Sequence, residues 1–398
     1  MKEQRENFIR DYRLDYYTVS ELAQRFGVSR KTAYKWIGRW EEHGADGLEE
    51  QSRRPQGCPW QTPQEIREEL IRLREAKPSR GPWKLLTMIE RKHPQWQLPA
   101  ISTAARILKQ AGLTKSKGRG RRAHPGCPKH RAAEPNDIWA ADYKGQFLLK
   151  NRLYCYPLTV SDLYSRYLLG CEGHEAISLE KTMGYFLLLF REYGLPCRIR
   201  TDNGVPFASN ALARLSRLGV WFIKLGIYVE LIEPGQPQQN GIHERMHRTL
   251  KAEATIPPAS SMKGQQRKFD AFRTEFNTER PHEALGMKCP AEVYQRSNRQ
   301  MPNRIEPYDY PGHYQVRKVS RAGTIRMQNN QFFLSSTLIE EYVGLEEVDD
   351  GVYDVFFCFY QIGRYDLRKN KVVGIVSKVP LSVPHDLKAP RVLPMSRE

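Results

Sequence analysis

Residues 114–131, TKSKGRGRRAHPGCPKHR, hold seven Lys or Arg, no acid, and Gly or Pro throughout. Such a run can neither bury an apolar face nor sustain a strand ladder, so no packed element is expected there and it reads as a linker between domains. The chain's 398 residues leave room for two or three domains, and 40% hydrophobic with 27% charged residues is a globular composition. The chain carries 63 Lys and Arg against 45 Asp and Glu, a formal charge of +18, which makes a polyanion the natural partner and puts nucleic acid first. Seven cysteines without a Cys-x-x-Cys pair give neither a disulfide framework nor a zinc ribbon, and the His124, Cys127, His130 run lacks a nearby fourth ligand. The longest apolar run, Tyr185 to Phe190, is too short to span a membrane, and the first residues have no apolar signal core. The expectation is a soluble, unexported, cytoplasmic protein with no membrane partner.

Upstream of the basic run the period is helical. In residues 18–40, Leu22, Ala23 and Phe26 form one stripe, Gly27 breaks it, and Ala33, Trp36 and Ile37 resume it, which predicts a helix-turn-helix. Ser29 is placed to cap the second helix. Arg30, Lys31, Thr32 and Lys35 lie off its apolar stripe near its start, where a recognition helix meets base edges. The same charges would also suit a solvated helical hairpin. A second helical unit follows the joint at 51–60: Thr62-Pro63-Gln64-Glu65 reads as a capping box, GPWKLLTMIERK as a helix, and ISTAARILKQ as a helix capped by Ser102. That last helix carries Arg106 and Lys109 as candidate DNA contacts. Lys115, Lys117, Arg119, Arg121 and Arg122 of the basic run are expected to lie along phosphates.

Downstream the period changes to strands. Residues 138–149, 153–162 and 165–173 predict three antiparallel strands, 178–194 a helix, 195–202 a strand, 208–219 a helix, 227–234 a strand, and Ile242 to Ala254 a helix. This order gives an α/β domain with a mixed sheet. FRTEFNTERPHEAL adds a helical segment. After Met301 short strands broken by Gly, Asn and Asp suggest a small β-barrel.

Three acids occupy distinctive places in the α/β domain: Asp142 within a strand, Asp202 at a strand end before Asn203-Gly204, and Glu244 at the start of a helix. Carboxylates so placed can converge on one crevice, a hard oxygen site suited to one or two Mg²⁺ ions and to in-line phosphoryl transfer. Taken singly, Asp142 suits an exposed edge strand, Asp202 a turn, and Glu244 a pair with Arg248. Their joint presence behind two DNA-binding units favours the metal site. Asp162 reads as a turn residue. On the Glu244 helix, His247, Arg248 and Lys251 follow at i+3, i+4 and i+7, as contacts to the scissile phosphate or to the DNA backbone.

The segments WAADYKG, TDNGVPF and PGQPQQNGIHERMHRTLK resemble the acid-bearing motifs of bacterial insertion-sequence transposases. These belong to the retroviral-integrase (DDE) superfamily, with a ribonuclease-H-like core. The resemblance covers most of the chain. It implies that Asp142, Asp202 and Glu244 are the catalytic, metal-holding triad and that the cofactor is Mg²⁺ or Mn²⁺, as two ions. It also implies terminal inverted repeats and target DNA as substrates, a dimer or tetramer on DNA, and a bacterial, nucleoid-associated setting. The gap between Asp202 and Glu244, 244 − 202 − 1 = 41 residues, exceeds the commonest family spacing, which predicts that VWFIKLGI inserts an extra turn.

The resulting division is multidomain: a helix-turn-helix domain at 1–56, a second, winged-helix-like unit at 57–113, a basic linker at 114–134 and a ribonuclease-H-like core at 135–256. A helical extension at 257–300 and a small β-barrel with tail at 301–398 complete it. The function expected is a transposase that binds element ends, cleaves their 3′ ends and joins them to target DNA. The other readings are a domesticated transposase acting as a DNA-binding regulator and a structure-specific nuclease. Three retained acids argue against the first of these, and two sequence-reading units against the second.

Overall fold

In the computed structural model, which describes residues 2–50, 61–114, 130–233 and 235–374, residues 1–62 and 63–398 form two compact units. Lys115, Lys117, Arg119, Arg121 and Arg122 lie outside the described residues.

The first unit has three helices, α1 (Lys2–Arg13), α2 (Val19–Arg25) and α3 (Arg30–His43). Thr18 and Glu21 form a reciprocal capping box at the start of α2, and Ser29 caps α3 by accepting from the Thr32 N–H at 3.2 Å. Gly27 takes φ +65° in the turn between them, as the sequence break predicts. Helix α1 carries no strong periodic pattern of its own. It supplies Phe8, which is fully buried against Leu22, Ala33 and Ile37 and meets Phe26 and Trp36 edge-on, both at 5.4 Å. Two helices alone would leave that stripe in water.

The second unit opens with α4 (Gln64–Ala76), α5 (Pro82–Lys92) and α6 (Ile101–Gln110) around Leu70, Leu85, Ile89, Ala104 and Leu108. Neither predicted cap forms: α4 follows Pro63 and α6 follows Ala100, both without a side-chain cap bond. The cap position falls one residue after Thr62 and two residues before Ser102, so neither hydroxyl stands where it would reach a free N–H.

The central sheet runs β4–β3–β1–β5–β6, from β1 (Ile138–Tyr143), β3 (Tyr154–Asp162), β4 (Leu168–His174), β5 (Arg198–Thr201) and β6 (Tyr228–Leu231), with the two-residue β2 (Phe147–Leu148) beside the start of β3. The pairs β1/β3 and β3/β4 are antiparallel, and β1/β5 and β5/β6 are parallel, so the sheet is mixed as expected. Pleating sends Trp139, Ala141, Leu158, Val160, Leu169, Ile199 and Val229 to one face. There they pack with Phe186 and Phe190 of α7 (Leu179–Tyr193) and Phe222 of α8 (Arg217–Lys224). On the other face lie α9 (Gly241–Leu250) and α10 (Met262–Thr278), whose Met246, Leu250, Phe269, Phe272 and Phe276 pack on Leu168 and Cys171.

The helix expected at 208–219 is displaced. Ala213 and Arg214 take φ of +53° and +56°, and Ser216 caps α8, so VWFIK is the body of this helix. The extension helix likewise begins at Met262, capped by Ser261, ten residues ahead of the predicted segment.

Helix α10 also carries the seat of the second helical unit. Fully buried Arg80 pairs with Glu275 at 2.5 Å, Lys77 joins the same carboxylate, and Arg91 binds Glu292 at 2.7 Å.

The C-terminal strands are β7 (Gln315–Lys318), β8 (Thr324–Met327), β9 (Asn330–Phe333), β10 (Tyr342–Asp349), β11 (Val352–Phe357), β12 (Tyr360–Asp366) and β13 (Lys371–Gly374). They form no barrel: the sheet β13–β12–β11–β10–β7 is open, and β8–β9 is a separate hairpin. The apolar face that closure would hide is covered otherwise. Phe332 of the hairpin stacks on Tyr365 at 3.9 Å, Phe359 meets Tyr228 at 4.7 Å, and Tyr360 Oη donates to the Val229 carbonyl at 3.0 Å.

Asp162 ends β3 fully buried and does more than shape a turn. Its Oδ1 accepts from Asn136 N–H at 2.8 Å and its Oδ2 from Ser165 N–H at 2.7 Å and Ser165 Oγ at 2.5 Å, so it ties the chain entering β1 to the β3–β4 turn. Asp162→Asn places an amide NH₂ against these donors, and thermal denaturation should show a loss of about 1–3 kcal/mol. An unchanged melting temperature would demote this knot to a local turn.

Candidate functional site

One face of the sheet is polar where α9 crosses it. Asp142 shares its pleat parity with Ile138 and Ala140, opposite to Trp139 and Ala141 in the apolar layer, and it pairs with Thr159 on β3. Asp202 follows β5 directly. Its Oδ1 accepts from the Gly204 N–H at 3.1 Å, and a Cβ on Gly204 would stand 2.9 Å from its Oδ2. Asn203 is held between the Ile232 carbonyl and Arg214, both at 2.9 Å, so the turn that carries Asp202 is braced from two sides. Glu244 sits exposed in the first turn of α9.

Asp142 senses the other two acids. Burial pushes the Asp142 carboxyl up to about 7, and the charges of Asp202 and Glu244 add to the rise while Lys144 opposes it. Asp202 is also raised, by burial, against the Gly204 hydrogen bond. Two partly dehydrated carboxyls and an exposed third are hard oxygen donors of the kind a divalent cation neutralises. Among the described residues, however, no three His, Cys, Asp or Glu side chains stand close enough together to surround an ion.

Around Asp142 lies a buried network that the sequence pattern alone does not show. Thr159 Oγ1 donates to the Asp142 carbonyl at 3.1 Å and meets His243 Nε2 at 2.8 Å and His247 Nε2 at 2.6 Å, while Ser161 Oγ meets His243 Nδ1 at 2.7 Å. His247 was expected on the DNA side. It is instead buried, because α9 turns its 243 and 247 positions onto the sheet. Burial holds His243 down to about 3 and His247 down to about 2, the latter aided by His243 and Lys144, so both are neutral. The 3.7 Å approach of His247 Nδ1 to Asp142 Oδ2 is therefore no ion pair. A helical His-x-x-x-His beside strands of alternating parity was the available signal, but it needed the β1/β3 register to be read.

A second buried group holds the neighbouring strands. Arg200 Nε donates to Glu230 at 2.8 Å, its Nη2 to the His130 carbonyl at 2.7 Å and its Nη1 to the Gln239 carbonyl at 3.4 Å. Burial alone would raise Glu230, yet His130 and Arg200 win and leave it below its usual range.

The remaining predicted residues lie on surfaces. Arg248 and Lys251 are exposed, as are Arg106 and Lys109 on α6 and Arg30, Lys31 and Lys35 on α3. Ser29 and Thr32 are joined by their hydroxyls at 2.9 Å, as parts of the α3 cap.

Five domain families match the chain: a helix-turn-helix domain over residues 4–56, a homeodomain-like domain over 32–108, integrase core domains over 132–237 and 225–290, and the IS481 family transposase C-terminal domain over 314–373. The insertion element IS476 uncharacterized 39.2 kDa protein of Xanthomonas euvesicatoria is 31% identical over 189 residues, which cover 46% of this chain and 50% of that protein. The insertion element IS407 uncharacterized 31.7 kDa protein of Burkholderia multivorans is 27% identical over 204 residues, covering 47% and 66%. The chain thus spans about half the length of the first of these relatives. Among solved structures, the HTLV-2 integrase catalytic core domain in complex with magnesium superposes with a TM-score of 0.34 at 18% identity, covering 42% of this chain and 100% of that one. A simian T-cell lymphotropic virus intasome in complex with PP2A regulatory subunit B56 gamma gives 0.37 at 15%, covering 73% and 97%.

The raised Asp142 carboxyl has a measurable sign. The folded state keeps its proton up to about 7 while the unfolded chain releases it near 3.8, so stability falls as pH rises between these values. In chelator-treated protein, Asp142→Asn should be the more stable form above pH 7, by roughly 2–4 kcal/mol, with the gap closing toward pH 4. Parallel stability curves for the two proteins across that range would contradict the shift.

Proposed function

We propose, for a chain that belongs to the insertion-sequence transposases of the DDE superfamily, that it binds the terminal inverted repeats of its own element, cleaves their 3′ ends and joins them to target DNA. The observation that carries this reading is the placing of Asp142 on β1, Asp202 directly after β5 and Glu244 in the first turn of α9, with burial, and then the charges of Asp202 and Glu244, pushing the Asp142 carboxyl up to about 7.

In this reading those three carboxylates hold Mg²⁺ or Mn²⁺, two ions in number, which supply charge for in-line phosphoryl transfer. The other steps belong to side chains already placed. Arg248 and Lys251, exposed on and just beyond α9, grip the backbone phosphates beside Glu244. The Gly204 N–H and the braced Asn203 orient Asp202. Arg30, Lys31 and Lys35 on α3 read base edges of the repeat, and Arg106 and Lys109 on α6 add a second contact. Hydrolysis of a phosphodiester at each end frees a 3′-hydroxyl, which then attacks a target phosphodiester. Among the described residues no helix is long and apolar enough to cross a membrane, and the reaction is assigned to the bacterial cytoplasm, at the nucleoid.

The test is incubation of the full chain and Mg²⁺ with labelled duplex carrying the repeats that flank its own reading frame. Asp142→Asn, Asp202→Asn and Glu244→Gln should each lower cleavage by at least about 10³-fold while binding of the same duplex persists. A variant that still cuts is thereby removed from the acid set.

Two element ends must be joined to one target, and each chain offers one acid set, so the active form is a homo-oligomer on DNA, dimer or tetramer. Asp142→Asn, which binds but cannot cut, mixed with an Arg30→Ala, Lys35→Ala double variant, which keeps the acids, should recover strand transfer. No recovery at any ratio, with a monomer mass for the active complex, would point to a simple nuclease.

A further inference from the structure

We propose that Thr159 is a positioning residue whose single buried hydroxyl fixes the separation between Asp142 and the helix that carries Glu244. The inference rests on the assignment of Asp142, Asp202 and Glu244 as cation-holding acids and goes beyond it by naming what sets their spacing.

Proton accounting gives the network one arrangement. The only proton of Thr159 Oγ1 goes to the Asp142 carbonyl, at 3.1 Å. Its oxygen must then accept from both imidazoles, from His243 Nε2–H at 2.8 Å and His247 Nε2–H at 2.6 Å. His243 Nδ1 is left as an acceptor and takes the Ser161 hydroxyl proton at 2.7 Å. His247 Nδ1 is likewise a lone pair, and it faces Asp142 Oδ2 at 3.7 Å. The imidazole therefore gives the carboxyl group no proton there.

The mechanical consequence follows from spacing. His243 immediately precedes Glu244 and His247 follows it by three, so the two anchors lie one helical turn apart and bracket the acid. Both end on the same oxygen, which is fully buried on β3 and paired across the sheet with Asp142. The apolar contacts of Met246 and Leu250 hold α9 against its neighbours but tolerate sliding and rotation, whereas three hydrogen bonds meeting at one oxygen do not. The hydroxyl therefore sets the height and rotation of α9 over Asp142.

The experiment measures Mn²⁺ binding to the full chain by the loss of the free-ion electron paramagnetic resonance signal, alongside melting temperature and binding of a duplex of random sequence. Thr159→Val keeps the volume and removes the hydroxyl. It should weaken Mn²⁺ binding about 10–100-fold with duplex binding unchanged, and Thr159→Ser should restore it. Where the valine variant fails to fold, His247→Gln, whose amide can still donate to Thr159, and His247→Phe, which cannot, should show the same contrast. Unchanged Mn²⁺ affinity in Thr159→Val or His247→Phe would overturn the proposal. Asp142→Asn separates the two levels of the argument. Undiminished Mn²⁺ binding in that variant would sink the acid assignment itself, whereas loss of binding there with a normal Thr159→Val would sink only the role of the hydroxyl.

Discussion

Pleating of the central sheet is the constraint on which the rest depends. Strand residues alternate between faces, so a segment such as IWAADY commits Trp139 and Ala141 to the apolar layer and thereby commits Asp142 to the opposite side. The same parity on β3, β5 and β6 collects Thr159, Ser161, Arg200 and Glu230 on that side. A sheet face bearing that many polar groups under a helix is tenable only when each finds a partner. The two histidines of α9 answer Thr159 and Ser161. His130, Gln239 and the Arg200–Glu230 pair answer one another. The polar surroundings of the acids are thus the condition under which α9 can lie there at all.

That arrangement joins distant pieces of chain. Arg200 stands two residues before Asp202 and binds the carbonyl of His130, near the end of the basic run, and that of Gln239, in the turn before α9. Removing either partner of a buried pair leaves an uncompensated charge, commonly at about 3–5 kcal/mol. The approach to Asp202 and the approach to Glu244 are therefore anchored to the same guanidinium.

Much of this was legible in the sequence because local chemistry decided it. The break at Gly27, the Ser29 cap, the mixed order of strands and the places of Asp142, Asp202 and Glu244 follow from period, turn residues and capping. What escaped depended on distant partners. Helix α1 shows no strong pattern until Phe8 is seen to complete a core built by α2 and α3. His247 looked outward because helical spacing relates it to Arg248 and Lys251 but does not tell which side meets the sheet. The hydroxyls of Thr62 and Ser102 sit in good capping patterns, yet packing started each helix elsewhere. Asp162 read as a turn former since its bond to Ser165 is local, while its bond to Asn136 spans 26 residues. The barrel failed for a similar reason: strand count cannot reveal that Tyr228 and Val229 of the core cover the face that closure would otherwise hide.

The contact of the α4–α5 turn with α10, and of α5 with the segment beyond that helix, alters what the basic run can be for. Arg80, Lys77 and Arg91 reach across about two hundred residues of sequence to Glu275 and Glu292, and a second bridge runs from Ser79 through Glu253 to Arg280. A tether of the composition of residues 114–131 would let the helices before it wander, but these helices are fastened to the body that follows it. The offset between α6 and the acids is consequently a property of the folded surface, fixed like the marks on a gauge, and lengthening the basic run would leave that offset unaltered.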